Sequence, residues 1–442
     1  MIRRSIVLCA FASVCFLPTS ASAGLEVGAA IRNISPDHPL PVSGGVPSPG
    51  VKPRPATDKR GELTTRAIVF RKGDVTVAVA VLDSLGFPSA LGDRVRAKVT
   101  RIPASNILIA STHTHSAPDC YAFPDPTKPG EHTGDLKYMD FVCNQTAEAI
   151  NAALDSVKPA TLKIATGEAK GKIAYNYYAP DLYDRRMSVI QAIGSDKKAI
   201  ATLVNYAVHP EVIGDGRGII SPDLVGPLCD KIEAQVGGTA LFLNGAQGGM
   251  ITADNRDLNK PRDPLRGYWE DSRTWEECLR IGRLMADEAL RIVGGASEQT
   301  DPGLFCDSIS VRFPVESLRM WGVIVGSPLN YKHNEDQSIN ARINLINIGD
   351  AQILTIPGEA LPNIGFYLKR KMRGRHNLLF GLTNEAFGYI LTKVDFNSFP
   401  RYEYVSRTSL GEMTGEILIE KSLEFVKKSP PPDNAKQPVS RK

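Results

Sequence analysis

Apolar and polar positions along this chain fall into runs with two periods, so secondary structure can be read almost element by element. Residues 67–70 and 75–82 are rich in branched aliphatic side chains and are split by Lys72-Gly73-Asp74, a hairpin pattern. Residues 92–101 carry apolar side chains at helical spacing. Residues 106–110 (NILIA) are continuously apolar, as in a short buried strand, and end at Ser111-Thr112-His113. Residues 138–156 again read as a helix. Residues 187–193 and 199–208 flank Gly194-Ser195-Asp196 as a second hairpin, and the latter strand runs into His209-Pro210. A helix over 222–236 with Ser221 as its cap, a strand over 239–243, a glycine-rich turn and a long helix over 274–293 follow. Residues 343–348 and 352–356 pair around Gly349-Asp350, a helix begins after Pro357-Gly358, 377–382 form a strand, and 409–426 form the last helix. Residues 28–60 are rich in Pro and Gly and read as an irregular ordered loop lining a cleft. Hairpins and crossovers mix throughout, which predicts an α/β fold: a mixed sheet with flanking helices, its site at the C-terminal ends of strands. There is no internal repeat.

The two ends differ from the rest. Arg3 and Arg4 precede an apolar run over 6–17, and Ala21-Ser22-Ala23 offers small residues for cleavage before Gly24, so 1–23 read as a signal peptide. That run is shorter than the roughly 20 residues a membrane span needs, and no later stretch comes closer. A periplasmic or secreted protein is expected, with one large domain over 24–426 and a disordered Pro- and Lys-rich tail over 427–442.

Charge narrows the function. Lys and Arg total 52 against 48 Asp and Glu, a formal charge of +4, which excludes a nucleic-acid binder acting through bulk charge. At 42% hydrophobic and 23% charged residues, the chain can bury a large core. Seven cysteines, two in the leader, leave Cys120, Cys143, Cys229, Cys278 and Cys306, widely spaced and without a C-x-x-C pair. No disulfide framework is expected, though one or two bridges remain open; Cys143, Cys229 and Cys278 fall in helix-like stretches as small core residues.

The chemistry gathers at histidines. His38, His132, His333 and His376 lie in polar contexts and read as solvated surface. His113 and His115, by contrast, stand directly after the NILIA strand, and His209 closes the strand over 199–208. In an extended segment, side chains at i and i+2 share a face, so His113 and His115 can address one centre. Imidazole is a common zinc ligand, and a catalytic zinc keeps an open position for water. H-x-H is nonetheless a short pattern, and a hydrogen-bonded loop satisfies it equally well.

Six segments, in order, resemble the catalytic domain of the neutral, non-lysosomal ceramidases: Thr112 to Ser116 (THTHS), Asn205 to Pro210 (NYAVHP), Ser221-Pro222-Asp223 with Gly226, Asn244 to Gly249 (NGAQGG), Pro357-Gly358-Glu359, and Gly381 to Thr392 (GLTNEAFGYILT). The similarity runs from about Val27 to Leu423. It implies a single Zn2+ held by His113, His209, Glu359 and Tyr389, with His115 beside the zinc-bound water and acting as a proton shuttle. Two neutral imidazoles and one carboxylate leave zinc strongly Lewis acidic, whereas a tyrosinate would blunt it; a long phenol contact able to swing towards the oxyanion suits Tyr389 better.

Departures from the family bear on specificity. The family's G-D-V-S-P, with its essential serine, is here Gly248-Gly249-Met250-Ile251-Thr252, which puts Ile251 in the serine's position. The arginine of its N-R-S-P becomes Tyr177 in Asn176-Tyr177-Tyr178-Ala179, and no C-terminal immunoglobulin-like domain follows the last helix. The turn over 245–249, Gly248 and Gly249 above all, is expected to offer backbone N–H groups to an oxyanion, and Tyr177 to touch a less polar or aromatic substrate. Asp223 and Asp254 need no role beyond capping and turns. Three readings stand: a zinc-dependent hydrolase of an N-acyl amide or lipid-like substrate with changed specificity; a true ceramidase using Thr252 or water alone; and an inert metal-bound homologue that binds a lipid, glycan or peptide.

Overall fold

A computed structural model of the chain describes residues 24–46, 55–125, 127–128, 130–261 and 269–435. The expected signal peptide lies outside the described residues. Strands with alternating burial build two stacked sheets, and helices cover both outer faces.

Among the described residues the first sheet has nine strands. Eight run across it in the order Thr239–Asn244, Ala199–Tyr206, Arg186–Gly194, Lys158–Glu168, Glu26–Asn33, Thr64–Lys72, Val75–Leu82, Ile107–Ser111, and Glu298–Gln299 adds to Lys158–Glu168. Its middle is antiparallel, while the outermost pair at each edge is parallel. The second sheet runs Leu304–Pro314, Ser338–Ile348, Ala351–Thr355, His376–Phe380, with the last pair parallel. The expected mixed sheet is therefore present, in two layers.

Alternation along Val75–Leu82 explains the layering, because successive side chains of a strand face opposite ways. Val77, Val79 and Val81 enter the layer between the sheets, where Ile346, Ile353 and Phe380 meet them. Ala78, Ala80 and Leu82 face outward, onto the helices Ser89–Lys98 and Leu136–Asp155. At the other half of the same sheet, Val204, Tyr206 and Phe242 pack on Val225–Val236 and Trp275–Gly294. Thr274 caps the latter by accepting from the Glu277 N–H. The outer face of the second sheet places Ile343, Leu345 and Leu354 against Pro362–Lys371 and Thr414–Lys428.

Several boundaries differ from expectation. Glu26–Asn33, at the start of the segment read as a loop, is a central strand, and 47–54 lie outside the described residues. Lys158–Glu168, Leu304–Pro314 and the helix Leu318–Gly326 had no clear signal. The helix expected from residue 222 starts at Val225, because Asp223 takes φ +53° and the Ser221 hydroxyl accepts from its N–H instead of capping a helix. The last helix runs to Lys428, and the chain beyond it is docked: Pro430 O accepts from Asn347, and Asp433 accepts from the Gly303 N–H. Residues 436–442 of the expected tail lie outside the described residues. Cys120, Cys143, Cys229, Cys278 and Cys306 are free thiols. His376 is not solvated surface, since its ring lies against Thr166 with 13% of the side chain exposed. Among the described residues, no helix is long and apolar enough to cross a membrane.

The loops after the six strands of the three parallel pairs meet at one place, where they are stitched together. Asn205 donates from one amide nitrogen to Leu243 O, Asn244 O and Leu379 O at 3.0, 2.9 and 2.8 Å, joining both sheets. Gly381 N donates to Asn244 O, and Asn244 Nδ2 donates to Thr112 O.

Candidate active site and metal centre

His113 and His115 follow the strand Ile107–Ser111, and His209 follows Ala199–Tyr206. Glu359 and Tyr389 pair with each other in a two-residue parallel ladder, Glu359–Ala360 with Tyr389–Ile390, beyond the ends of the second sheet. The first sheet thus supplies the imidazoles, and the second supplies the carboxyl and the phenol.

His113 and His115 do converge, but not on an extended segment. His113 takes φ +68°, a left-handed conformation costly for a residue with a side chain, and His115 begins a turn. The His113 N–H donates to Ser84 O at 3.0 Å, and the His115 N–H donates to Pro210 O at 3.0 Å, which pins the loop between two neighbours. Met250, Leu382 and Asn384 also have positive φ. Strain of this kind persists where surrounding contacts over-determine it.

Each buried imidazole is fixed from behind. His113 Nδ1 lies 2.5 Å from Leu85 O, and His209 Nδ1 lies 2.9 Å from Ile251 O. A carbonyl only accepts, so Nδ1 carries the proton, and a neutral ring presents a bare lone pair at Nε2. Both Nε2 atoms point at Glu359 Oε2, at 3.4 Å from His113 and 3.1 Å from His209. His115 Nε2 is 3.3 Å from His113 Nε2. Lone pairs aimed at a carboxylate repel unless a proton or a cation lies between them. The donor atoms of His113, His115 and His209 lie within 4.8 Å of one another, and this group can hold a metal ion.

The electrostatics agree. Burial would raise the Glu359 carboxyl, yet the adjoining His113 and His209 hold it far below the usual carboxylate range. Burial would lower His209, but its hydrogen bond to Glu359 and the charges of Glu211 and Glu359 carry it above its ordinary value. His115 is driven well down, first by burial, then by His113 and His209. The Tyr389 phenol is pushed well up by burial and by Glu359, so it stays protonated at neutral pH. Its hydroxyl donates to Met250 Sδ at 3.3 Å, a weak and exchangeable partner.

A pocket opens in front of this cluster, enclosing about 920 Å³ including its open mouth. His113, His115, Glu359 and Tyr389 line one part, and Leu85, Phe123, Met320, Val323, Ile324 and Phe387 supply apolar walls.

Other expected site residues sit elsewhere. The Gly248 N–H is already donated to Ala360 O at 2.9 Å, so it is not an oxyanion donor; Gly248 is needed because a Cβ there would lie 2.1 Å from Glu359 O. Gly249, at φ +71°, packs over Leu361. Tyr177 contacts Tyr178, their ring centroids 5.5 Å apart, and does not line the pocket. Ile251 is buried and serves the site through its carbonyl, while Thr252 pairs with Tyr175 and bridges to His209. Asp223 accepts from Ile213 N and Leu224 N, and Asp254 pairs with Arg256.

Two acids went unnoticed in the sequence. Glu211 Oε2 stands 3.7 Å from His115 Nδ1. It is two positions beyond His209, the same i, i+2 spacing already recognised at His113 and His115. Glu385, inside the last matching segment, lines the pocket; nothing in its sequence context marks it.

No family model matches the chain. Its sequence is 29% identical over 247 residues to neutral ceramidase B of Dictyostelium discoideum; the match takes in 49% of this chain and 34% of that protein, about a third of the relative's length. Its fold matches neutral ceramidase from Pseudomonas aeruginosa with a TM-score of 0.74 at 17% identity, covering 95% of this chain and 77% of that one. A structure described as ceramidase complexed with C2 matches at 0.72 and 18% identity, covering 94% and 77%.

Proposed function

We propose that this chain, homologous in sequence to the neutral ceramidases and sharing their fold, is an exported zinc-dependent hydrolase of N-acyl amides whose specificity departs from ceramidase. The observation that carries the reading is the convergence of two imidazoles, each with its Nδ1 proton tied to a backbone carbonyl, on the buried carboxylate of Glu359. His113, His209 and Glu359 would hold the ion, with the Tyr389 phenol alongside. Zinc bound there would supply Lewis acidity and bring the pKa of water from about 15.7 to about 7.

The chain's own groups then have distinct tasks. His115 lines the pocket as a neutral imidazole, so Nε2 can take a proton during attack and return it to the departing amine. Glu211 faces the other ring nitrogen and orients the ring. Tyr389, protonated and held only by a thioether, can turn its hydroxyl to a developing oxyanion, a task the Gly248 N–H cannot perform. The apolar walls take an alkyl chain and keep bulk water from the scissile bond. Ile251 in the serine's place and Tyr177 in the arginine's place support a changed substrate, and the leader pattern in 1–23 supports export.

The test is turnover of a panel of N-acyl amides, ceramide included, by purified protein before and after chelation. Amide hydrolysis that is lost with the metal and restored by zinc is expected. Activity that survives metal removal would overturn the mechanism. Ceramide as the preferred substrate, abolished by His115→Ala, would make the protein a true ceramidase. Binding of a lipid without any zinc-dependent turnover would make it an inert homologue, which Ile251 in the serine's place favours.

A further inference from the structure

Glu385 is a pocket-lining acid that belongs neither to the cluster around Glu359 nor to the apolar walls; Tyr121, Tyr331, Lys332, Asn340 and Tyr404 are further polar groups on the lining. It is 6% exposed, yet it lines the pocket in front of Glu359. Its Oε1 accepts from the backbone N–H groups of Ser89 and Ala386, at 3.2 and 3.1 Å. Among the described residues, no ion pair engages it. Ser89 opens the helix Ser89–Lys98, so the carboxyl also complements that helix's N-terminus, and its charge reaches the buried Arg96.

Its placement is rigid. The preceding residue, Asn384, takes φ +69° and is locked on all sides: Oδ1 accepts from Arg96 and from the Ile109 N–H, and Nδ2 donates to Asn344. Such a shoulder holds a side chain to one direction. Burial, then the charges of Glu359 and Glu385, raise the Tyr121 phenol, so both carboxyl groups act on one lining residue and share one chamber. Burial also raises Glu385 itself, against the hydrogen bonds from Ser89 and Ala386. The carboxyl oxygens can accept from a donor that enters the pocket.

We propose that Glu385 is a specificity-determining residue: it recognises a hydrogen-bond donor, a hydroxyl or an ammonium, carried by the amide substrate away from its scissile bond. This rests on the pocket being the substrate site. Its apolar walls take the aliphatic part, and Glu385 selects the polar tip. Sites built to hydrogen-bond a substrate group reject the analogue lacking it, because their buried polar atom is then left unpaired.

Equilibrium binding to the zinc-loaded full chain tests this without turnover. The probes are N-hexyl octanamide and its ω-hydroxy and ω-amino analogues, with the tip placed on either the acyl or the amine half. One set of donor-tipped probes is expected to bind at least about tenfold more tightly than the methyl-ended parent, in line with a hydrogen bond to a charged or partly charged group. Glu385→Leu levels that ratio, whereas Glu385→Gln keeps the hydroxyl preference and loses the ammonium one. Wild-type ratios within twofold, no binding of any probe, or a preference that persists in Glu385→Leu would each overturn the proposal. Hydrolysis of the same probes is scored separately, so tip-selective binding without turnover would reject the hydrolase reading and keep this one.

Discussion

Glu359 and Gly248 show how closely the site is fitted, since each makes the other possible. The carboxylate lies between two imidazoles, and the backbone carrying it is so near residue 248 that only glycine fits. Glu359→Gln removes the charge but keeps the shape, so zinc affinity measured by calorimetry is expected to fall at least about 100-fold, the upper range for losing a supporting group at a metal site. Gly248→Ala adds a methyl 2.1 Å from Glu359 O. Denaturant titration should register a loss of about 2 kcal/mol or more from overpacking, with weaker zinc binding in parallel; unchanged stability would show that the 359–360 ladder can yield. Residue-level legibility was uneven. His113, His115 and His209 could be singled out because buried strands end at them. Glu359 and Tyr389 came from the family resemblance alone, since neither an acid after Pro-Gly nor a tyrosine in a loop advertises a ligand. The convergence of the i, i+2 histidine pair was legible while its cause was not, because a left-handed turn at His113, rather than an extended strand, brings the rings together.

Among elements, strands with a strong apolar run or a clear hairpin turn were legible, and those with half-exposed faces were not. Val75–Leu82 is buried on both faces and was readable to the residue, whereas Leu304–Pro314, at the edge of the second sheet, alternates weakly and gave no signal. Which strands are neighbours was hidden as well, because stitching residues such as Asn205 act across the fold. Asn205→Ala strips the shared donor from three buried carbonyls, of which Asn244 O keeps the Gly381 N–H. A loss of about 2–4 kcal/mol is expected in urea unfolding, given roughly 1–3 kcal/mol for each group left unpaired and some rescue by water. Asp184, just before the strand Arg186–Gly194, ties the first sheet to the helix Pro362–Lys371 through Lys369 at 3.0 Å, and also binds Arg186. Burial opposes its ionisation, but Lys369 and Arg186 prevail and bring the carboxyl down to about 2. A depressed acid stabilises the fold above its unfolded pKa of about 3.9 and ceases to as pH falls through the folded value. Asp184→Asn is therefore expected to cost on the order of 2 kcal/mol at pH 7, and its gap from wild type should close between about pH 4 and pH 2 in acid unfolding curves.

At the scale of the whole molecule, the mixed α/β class was legible from the interleaving of helical and extended runs, but the division into two sheets was not. That division depends on which alternate faces meet, as at Val79 and Ile353, and such pairing is not local information. A metal held at the cluster would report on the assembled stack. A ligand that binds only the native state stabilises it by about 4 kcal/mol at a thousand times its Kd, so chelation should lower Tm by several degrees and readdition of zinc should restore it; an unchanged Tm would mean that the cluster closes without an ion. The imidazoles rise from one layer and the carboxyl from the other, and the chain passes between these layers across residues 300–303. Neither half, produced alone, owns a complete set of donors. A backbone severed at that crossing would leave the three imidazoles on one fragment and the carboxyl and phenol on the other, and a gain in zinc affinity on mixing would become a signal that they had found one another.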